Sequence, residues 1–292
     1  MRIKQVNTKT CIVLCRVLIL LALGAASIQL TIAQETEDFE VWDSMSESMD
    51  LFTEMQDQVE EISDKELLIR LGVVGGVAPE YNGSDEYQIS YAPNIHIVWN
   101  DFLFIKGRKL GVQAFNSEHF YGGAFVRYTG GRSEDNDGLA GLGDISRTFT
   151  SGAYLNYRYQ GIRLKTEVRH DFFNEGHGTL VLASLGSRVP WNKPLFYIGV
   201  ETAWASTKNM NTFFGIDAFQ SLRSGLSQYR SDSGIRDVAL NLSSAYKFNK
   251  HWSLAGQISY RHLLDNAAAS PIVKDVGTEN NFIVGLGLNY TF

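Results

Sequence analysis

Residues suited to chemistry fall into a few groups, and most lose that promise once placed on an element. His170, Glu175 and His177 are metal-donor types, but the local patterning puts His170 at a strand end and the other two in the following loop. A polar surface loop is the expectation there. Arg132, Asp137 and Asp144 share a glycine-rich stretch that would suit a cation, yet its glycines more simply serve tight turns. No serine sits in a nucleophile motif of the kind a barrel lipase needs. Gly72 to Gly76 lie within a strand with no helix after it, so they form no phosphate loop. The expectation is a chain with no catalytic residue, no cofactor and no metal. What remains is a row of charges, Arg163, Lys165, Glu167 and Arg169, alternating with Ile162, Leu164, Thr166 and Val168. Alternation at period 2 puts all four charges on one face of a strand.

The same period recurs from residue 67 to the end. Phe282, Val284, Leu286, Leu288, Tyr290 and Phe292 alternate with mostly small or polar residues, as do Trp252, Leu254, Ile258 and Tyr260 before them. The apolar face would line a soluble sandwich or face lipid. Strands of about 10–13 residues exceed the usual ~5–6 of soluble sheets and suit a tilted membrane strand. Trp99, Tyr128, Tyr157, Tyr159, Trp204, Phe248, Trp252 and Tyr260 sit near strand ends, like interfacial girdles.

Twelve strands are expected, at 67–78, 87–99, 102–107, 109–116, 120–129, 149–159, 161–171, 178–189, 194–205, 235–248, 251–262 and 281–292. Short turns alternate with mostly longer loops, which points to a transmembrane antiparallel up-and-down β-barrel, all-β, with both termini on the short-turn, periplasmic side. An extra hairpin around Phe213 to Phe219 would make fourteen strands, and merging the third and fourth would make ten. Pro93, inside the second strand, predicts a bulge or break.

The 292 residues carry a net charge of −6, spread unevenly. Residues 1–33 hold only basic charges, then an apolar run from Val17 to Ala26, and Thr31-Ile32-Ala33 fits a signal cleavage site after Ala33. Both cysteines, Cys11 and Cys15, fall in this leader, so the mature chain has none. Residues 34–66 hold thirteen acids and one base, with Phe39, Trp42, Met45, Met49, Phe52, Met55, Val59 and Ile62 spaced three and four apart. That spacing predicts an acidic amphipathic helix, with a disordered leader as the alternative. Residues 67–292 are near neutral, with no basic excess to suggest nucleic acid.

On the presumed inner face, alternation gathers Arg70, Arg127, Arg158, Arg163, Lys165, Arg169, Arg188, Lys247 and Arg261 against Glu167 and Glu201. A basic lumen would pass small anions or be filled by its own side chains. The acidic segment 34–66 is expected to dock at its periplasmic mouth as a plug, or else to project into the periplasm as a partner-binding arm.

Several stretches resemble the MipA/OmpV family of outer-membrane proteins, the MltA-interacting proteins. They are Pro79 to Tyr87 (PEYNGSDEY), Gly131-Arg132 leading to Leu139 to Ile145 (LAGLGDI), His170 with Gly176-His177-Gly178, Leu264 to Val273 (LDNAAASPIV), and the terminal Tyr290-Thr291-Phe292. The resemblance covers about 67–292; residues 34–66 fall outside it. It implies an outer-membrane barrel held in lipid, and a scaffold joining a murein-cleaving lytic transglycosylase to a murein-synthesising penicillin-binding protein. An apolar row ending in Tyr290 and Phe292 resembles the signal read by the barrel-assembly machinery.

Overall fold

The computed structural model describes residues 67–173, 176–189 and 194–292. The leader with Ala33, the acidic segment 34–66, Asn174, Glu175 and residues 190–193 lie outside the described residues. Twelve antiparallel strands close into a barrel in up-and-down order. They are β1 (Leu67–Pro79), β2 (Tyr87–Trp99), β3 (Leu103–Lys106), β4 (Lys109–Asn116), β5 (Phe120–Thr129), β6 (Thr148–Tyr159), β7 (Ile162–Asp171), β8 (Thr179–Val189), β9 (Leu195–Ala205), β10 (Gly234–Lys247), β11 (Trp252–Leu263) and β12 (Asn280–Thr291). Closure is made by β1 on β12, in register from Arg70↔Thr291 to Val77↔Val284.

Alternation sorts the wall. Ile89, Leu110, Leu164, Leu185, Val200, Leu242, Ile258 and Leu286 are exposed on the outside, whereas Asn156, Glu167, Asn241, Ser243, Gln257 and Asn289 are buried inside. An apolar exterior and a polar interior is the inverse of a soluble fold, and lipid is the solvent that makes it stable. Aromatic pairs ring both ends. Phe120–Tyr157, Tyr246–Phe248, Trp252–Tyr290 and Tyr290–Phe292 stand near the short turns. Tyr128–Phe149 and Tyr260–Phe282 stand near the long loops.

The turns follow from local chemistry. Asn100-Asp101 turns with φ of 51° and 52°, and Gln160-Gly161 with 46° and 84°. Positive φ at both central residues is the two-residue hairpin geometry that matches strand twist. The separation of β3 from β4 rests on Gly107, at φ 53°, so the ten-strand merger does not occur.

Two further expectations are corrected. The residues 206–234 form no extra hairpin but two helices, α1 (Thr207–Phe214) and α2 (Ala218–Ser224). Ser206 caps α1, and α2 has a capping box between Asp217 and Gln220 and ends on Gly225 in the left-handed region. Pro93 causes no bulge: β2 stays in register with β1 throughout, with Pro93 opposite Val73. The reason lies in β3, whose four residues span only ~13 Å, about half of a ~25 Å apolar band. The Gly107 amide bonds the Ile95 carbonyl at 2.8 Å, and by alternation Pro93 faces the same side, one step past the end of the β3–β4 hairpin. Its missing amide hydrogen falls where no described strand pairs with β2.

Two smaller helices, α3 (Asp265–Ala268) and α4 (Pro271–Lys274), occupy the β11–β12 loop. Phe292, past the end of β12, donates its amide to the Ile69 carbonyl at 3.0 Å and packs its exposed ring on Tyr290. Deleting Phe292 removes this last seam bond and the lowest girdle ring. The expected outcome is a reduced outer-membrane yield, measured by fractionation and by the heat-dependent gel mobility of folded barrels; unchanged insertion would contradict it.

Candidate functional site

The described lumen is charged, and its charges are organised. Glu167 on β7 accepts from Lys109 Nζ at 3.0 Å, and Arg169 Nε pairs with its other oxygen. Asp237 on β10 pairs with Arg236 Nε at 2.6 Å and with Arg261 Nε at 3.5 Å. Arg261 also lies 3.6 Å from Glu201 and donates to Asn82 at 3.2 Å. Glu167, Asp237 and these arginines are almost fully buried. Ionised groups withdrawn from water are tolerated only when paired in this way.

The sequence-derived lumen residues divide by burial. Arg70, Arg127, Arg163, Arg169 and Arg261 are buried in the lumen, and half-buried Lys165 lines a small cavity of about 20 Å³ with Lys109, Glu167, Arg169 and Glu201. Arg158, the cross-strand partner of Arg163, and Arg188 and Lys247 lie less buried near the short-turn rim. Arg158 donates to the Glu118 and Ser117 carbonyls and to Asn116, Arg188 is exposed, and Lys247 is half-buried. Two buried bases were missed. Lys109 was recoverable from the alternation of Lys109 and Gly111 with Leu110 and Val112. Arg236 was not, because a register shift between Ile235 and Asp237 places both Arg236 and Asp237 among the buried residues.

The described members of the candidate metal and cation groups have other partners. His170 Nδ1 meets Thr179 Oγ1, while His177 is buried and bonds the Ser146 carbonyl through Nε2 at 2.7 Å. Asp144 accepts from the Glu134 amide, the Asp137 amide donates to Glu80, and Arg132 donates to the Phe213 carbonyl. No cluster of metal-ligating residues occurs among the described residues.

The long loops build the second part of the site. Tyr81, Leu139, Leu142, Ile216 and Ile272 form one buried apolar cluster; Ala205, Met210, Phe214, Leu263, Ala267 and Val273 form another. Apart from Ala205 and Leu263, the last residues of β9 and β11, they come from the β1–β2, β5–β6, β9–β10 and β11–β12 connections. In the barrel order, β5–β6 stands well around the ring from β11–β12. Leu139 and Ile272 share one cluster and Gly138 lies against Val276, so the loops meet across the mouth. Hydrogen bonds pin this cap: Ser270 Oγ to the Phe214 carbonyl at 2.6 Å, Gln220 to the Leu142 carbonyl at 2.6 Å, and Arg223 to Glu134 at 3.0 Å. A glycine is required at 277, where a Cβ would lie 2.1 Å from the Gly83 carbonyl oxygen. Outside the membrane span, burial raises the Tyr229 phenol above its ordinary pKa, and its hydroxyl donates to the Asn266 carbonyl at 2.8 Å.

Among known proteins, a family model described as MltA-interacting protein MipA matches residues 71–292. The "MltA-interacting protein" of Escherichia coli (strain K12) is 30% identical over 94 residues, 32% of this chain and 36% of that protein. The matched part thus spans about a third of the curated relative. Among solved structures, the COG4313 outer membrane channel from Pseudomonas putida F1 shares 13% identity over 80% of this chain and 98% of that chain, with a TM-score of 0.41. A Pseudomonas aeruginosa FadL homologue shares 10% over 77% and 90%, with a TM-score of 0.38. At these scores the structural likenesses carry no argument.

Glu167→Gln would leave Lys109 and Arg169 without their carboxylate. The expected loss is about 3–5 kcal/mol, the usual cost of breaking a buried pair from one side. It is measured as a lowered temperature or denaturant midpoint for unfolding in detergent, with an unshifted midpoint counting against a structural role for the triad.

Proposed function

We propose a scaffolding role for this chain, which belongs to the MltA-interacting protein MipA family. It is an outer-membrane β-barrel, and in this reading its periplasmic side joins a murein-cleaving lytic transglycosylase to a murein-synthesising penicillin-binding protein. The observation that carries the reading is the cap. Loops from separate parts of the ring meet over the mouth and bury Leu139, Ile272, Met210 and Leu263 completely, so the long-loop end is spent on internal packing. The surface left for periplasmic partners is the short-turn rim, with Arg158, Arg188 and Lys247. The acidic segment 34–66 joins β1 at that same end. The Escherichia coli relative, an MltA-interacting protein, supports the class of partner. No catalytic residue is assigned in this role.

Affinity capture of the full chain from crosslinked envelopes is expected to bring down a lytic transglycosylase and a penicillin-binding protein. The triple charge reversal Arg158→Glu, Arg188→Glu, Lys247→Glu is expected to reduce that capture several-fold without loss of the folded barrel. Capture without murein enzymes would remove the scaffold reading.

The basic excess of the lumen favours a second reading, a narrow anion-preferring channel with residues 34–66 as its periplasmic plug. Planar-bilayer recordings of the chain with and without 34–66 test it. Anion-selective conductance that rises without the segment, and falls on neutralising Arg163, Lys165 and Arg169, supports the channel. Identical traces remove the plug.

A further inference from the structure

Beneath the cap lies a cavity of about 70 Å³ that the scaffold reading does not use. That is several times the ~10–15 Å³ that one enclosed water needs, room for a small oxyanion. Three arginines line it, Arg169, Arg236 and Arg261, with 8%, 7% and 2% of their surface exposed. The carboxylates that pair with them, Glu167, Asp237 and Glu201, do not line it. Three cationic side chains thus line the space and none of these carboxylates does. Arg236 is the most telling. Its Nε is taken by Asp237 at 2.6 Å, which leaves its two terminal amino groups for the cavity.

A second observation comes from the opposite wall. Asn209 on α1 lines the cavity and is 4% exposed. Its Nδ2 donates to the His177 carbonyl at 2.7 Å, which fixes the amide orientation, and its Oδ1 has no hydrogen-bond partner. A buried acceptor left unpaired costs about 1–3 kcal/mol. A ligand that satisfies this wall brings oxygens for the guanidinium groups and one O–H for Asn209.

We propose that this cavity binds a protonated tetrahedral oxyanion of the phosphate class. Its ionised oxygens accept from Arg236, Arg261 and Arg169, and its O–H donates to Asn209 Oδ1. Sulfate offers the same shape and charge but no proton at neutral pH, so Asn209 makes the site selective between the two. The inference is independent of the scaffold reading, because it rests on the cap and lumen and on no periplasmic contact.

The test is calorimetric titration of the full chain, folded in detergent, with inorganic phosphate and then with sulfate at matched ionic strength. Saturable one-to-one phosphate binding, tighter than sulfate, is expected. Arg236→Gln should weaken phosphate about tenfold or more, the loss of one charge-assisted contact. Asn209→Ala should bring phosphate down to the level of sulfate. Folding of both variants is checked by heat-dependent gel mobility. If Arg236→Gln does not fold, a rise in the unfolding midpoint of the unaltered chain with phosphate, larger than with sulfate, gives the same reading. Absence of saturable phosphate binding, equal affinity for the two anions, or equal midpoints in phosphate and sulfate would each overturn the proposal.

Discussion

A backbone amide or carbonyl in hydrocarbon has no water to turn to, so a strand can cross a membrane only if both its edges are paired. The seam between β1 and β12 meets this demand for the whole molecule. Its register, from Arg70↔Thr291 to Val77↔Val284, joins the first strand to the last and turns a sheet with two edges into a wall with none. Once the wall is closed, the side chains have no choice of solvent. Leu286 and Leu288 must face lipid, while Asn289 and Thr291, of opposite parity, must face the lumen. Buried charge follows from the same closure: a narrow polar interior holds guanidinium and carboxylate groups close enough to pair. The β3–β4 hairpin is the local exception, and the chain meets it with a residue that needs no partner, Pro93.

Much of this was legible because a barrel strand has one rule, period 2, and the chain keeps it. Arg163, Lys165, Glu167 and Arg169 announce the inner face of β7 without any structure. The rule fails where the backbone departs from it. At Ile235/Asp237 the bulge breaks the alternation, and Arg236, which strict counting turns toward lipid, is buried beside Asp237. Burial is equally invisible to counting. Arg158 and Arg163 are cross-strand partners on one face, yet one is bound by carbonyls of the β4–β5 turn while the other is almost fully buried.

The cap shows a different kind of illegibility. Its local signals were present, since Asp217 and Gln220 make a capping box, but the aromatic run from Phe213 to Phe219 favoured a hairpin over a helix. Its long-range content could not be counted at all. Nothing about Leu139 says that it will pack with Ile272. What the sequence did show was a set of unusual stretches, 79–87, 131–145, 176–178 and 264–273, and all of them meet at the long-loop end. Asn281 bonds both the Gly83 amide and the Ser84 carbonyl, Arg132 reaches Phe213, and Ser270 reaches Phe214.

Cap and lumen are mechanically one body. α1 contacts β8 and β9 as well as α3 and α4, and Arg261 in the wall is bonded to Asn82 in the β1–β2 loop. The charge arrangement beneath the cap is thus held from both sides: strands fix Arg169 and Arg261, and a helix anchored to the His177 carbonyl fixes Asn209. A flexible lid would gain affinity only after paying the entropy of ordering these groups, whereas a cap already packed through Met210, Phe214 and Val273 has them ordered before any ligand arrives. The same packing that covers the outer mouth therefore also preorganises a small cavity, among the described residues, that arginine side chains line and their paired carboxylates do not.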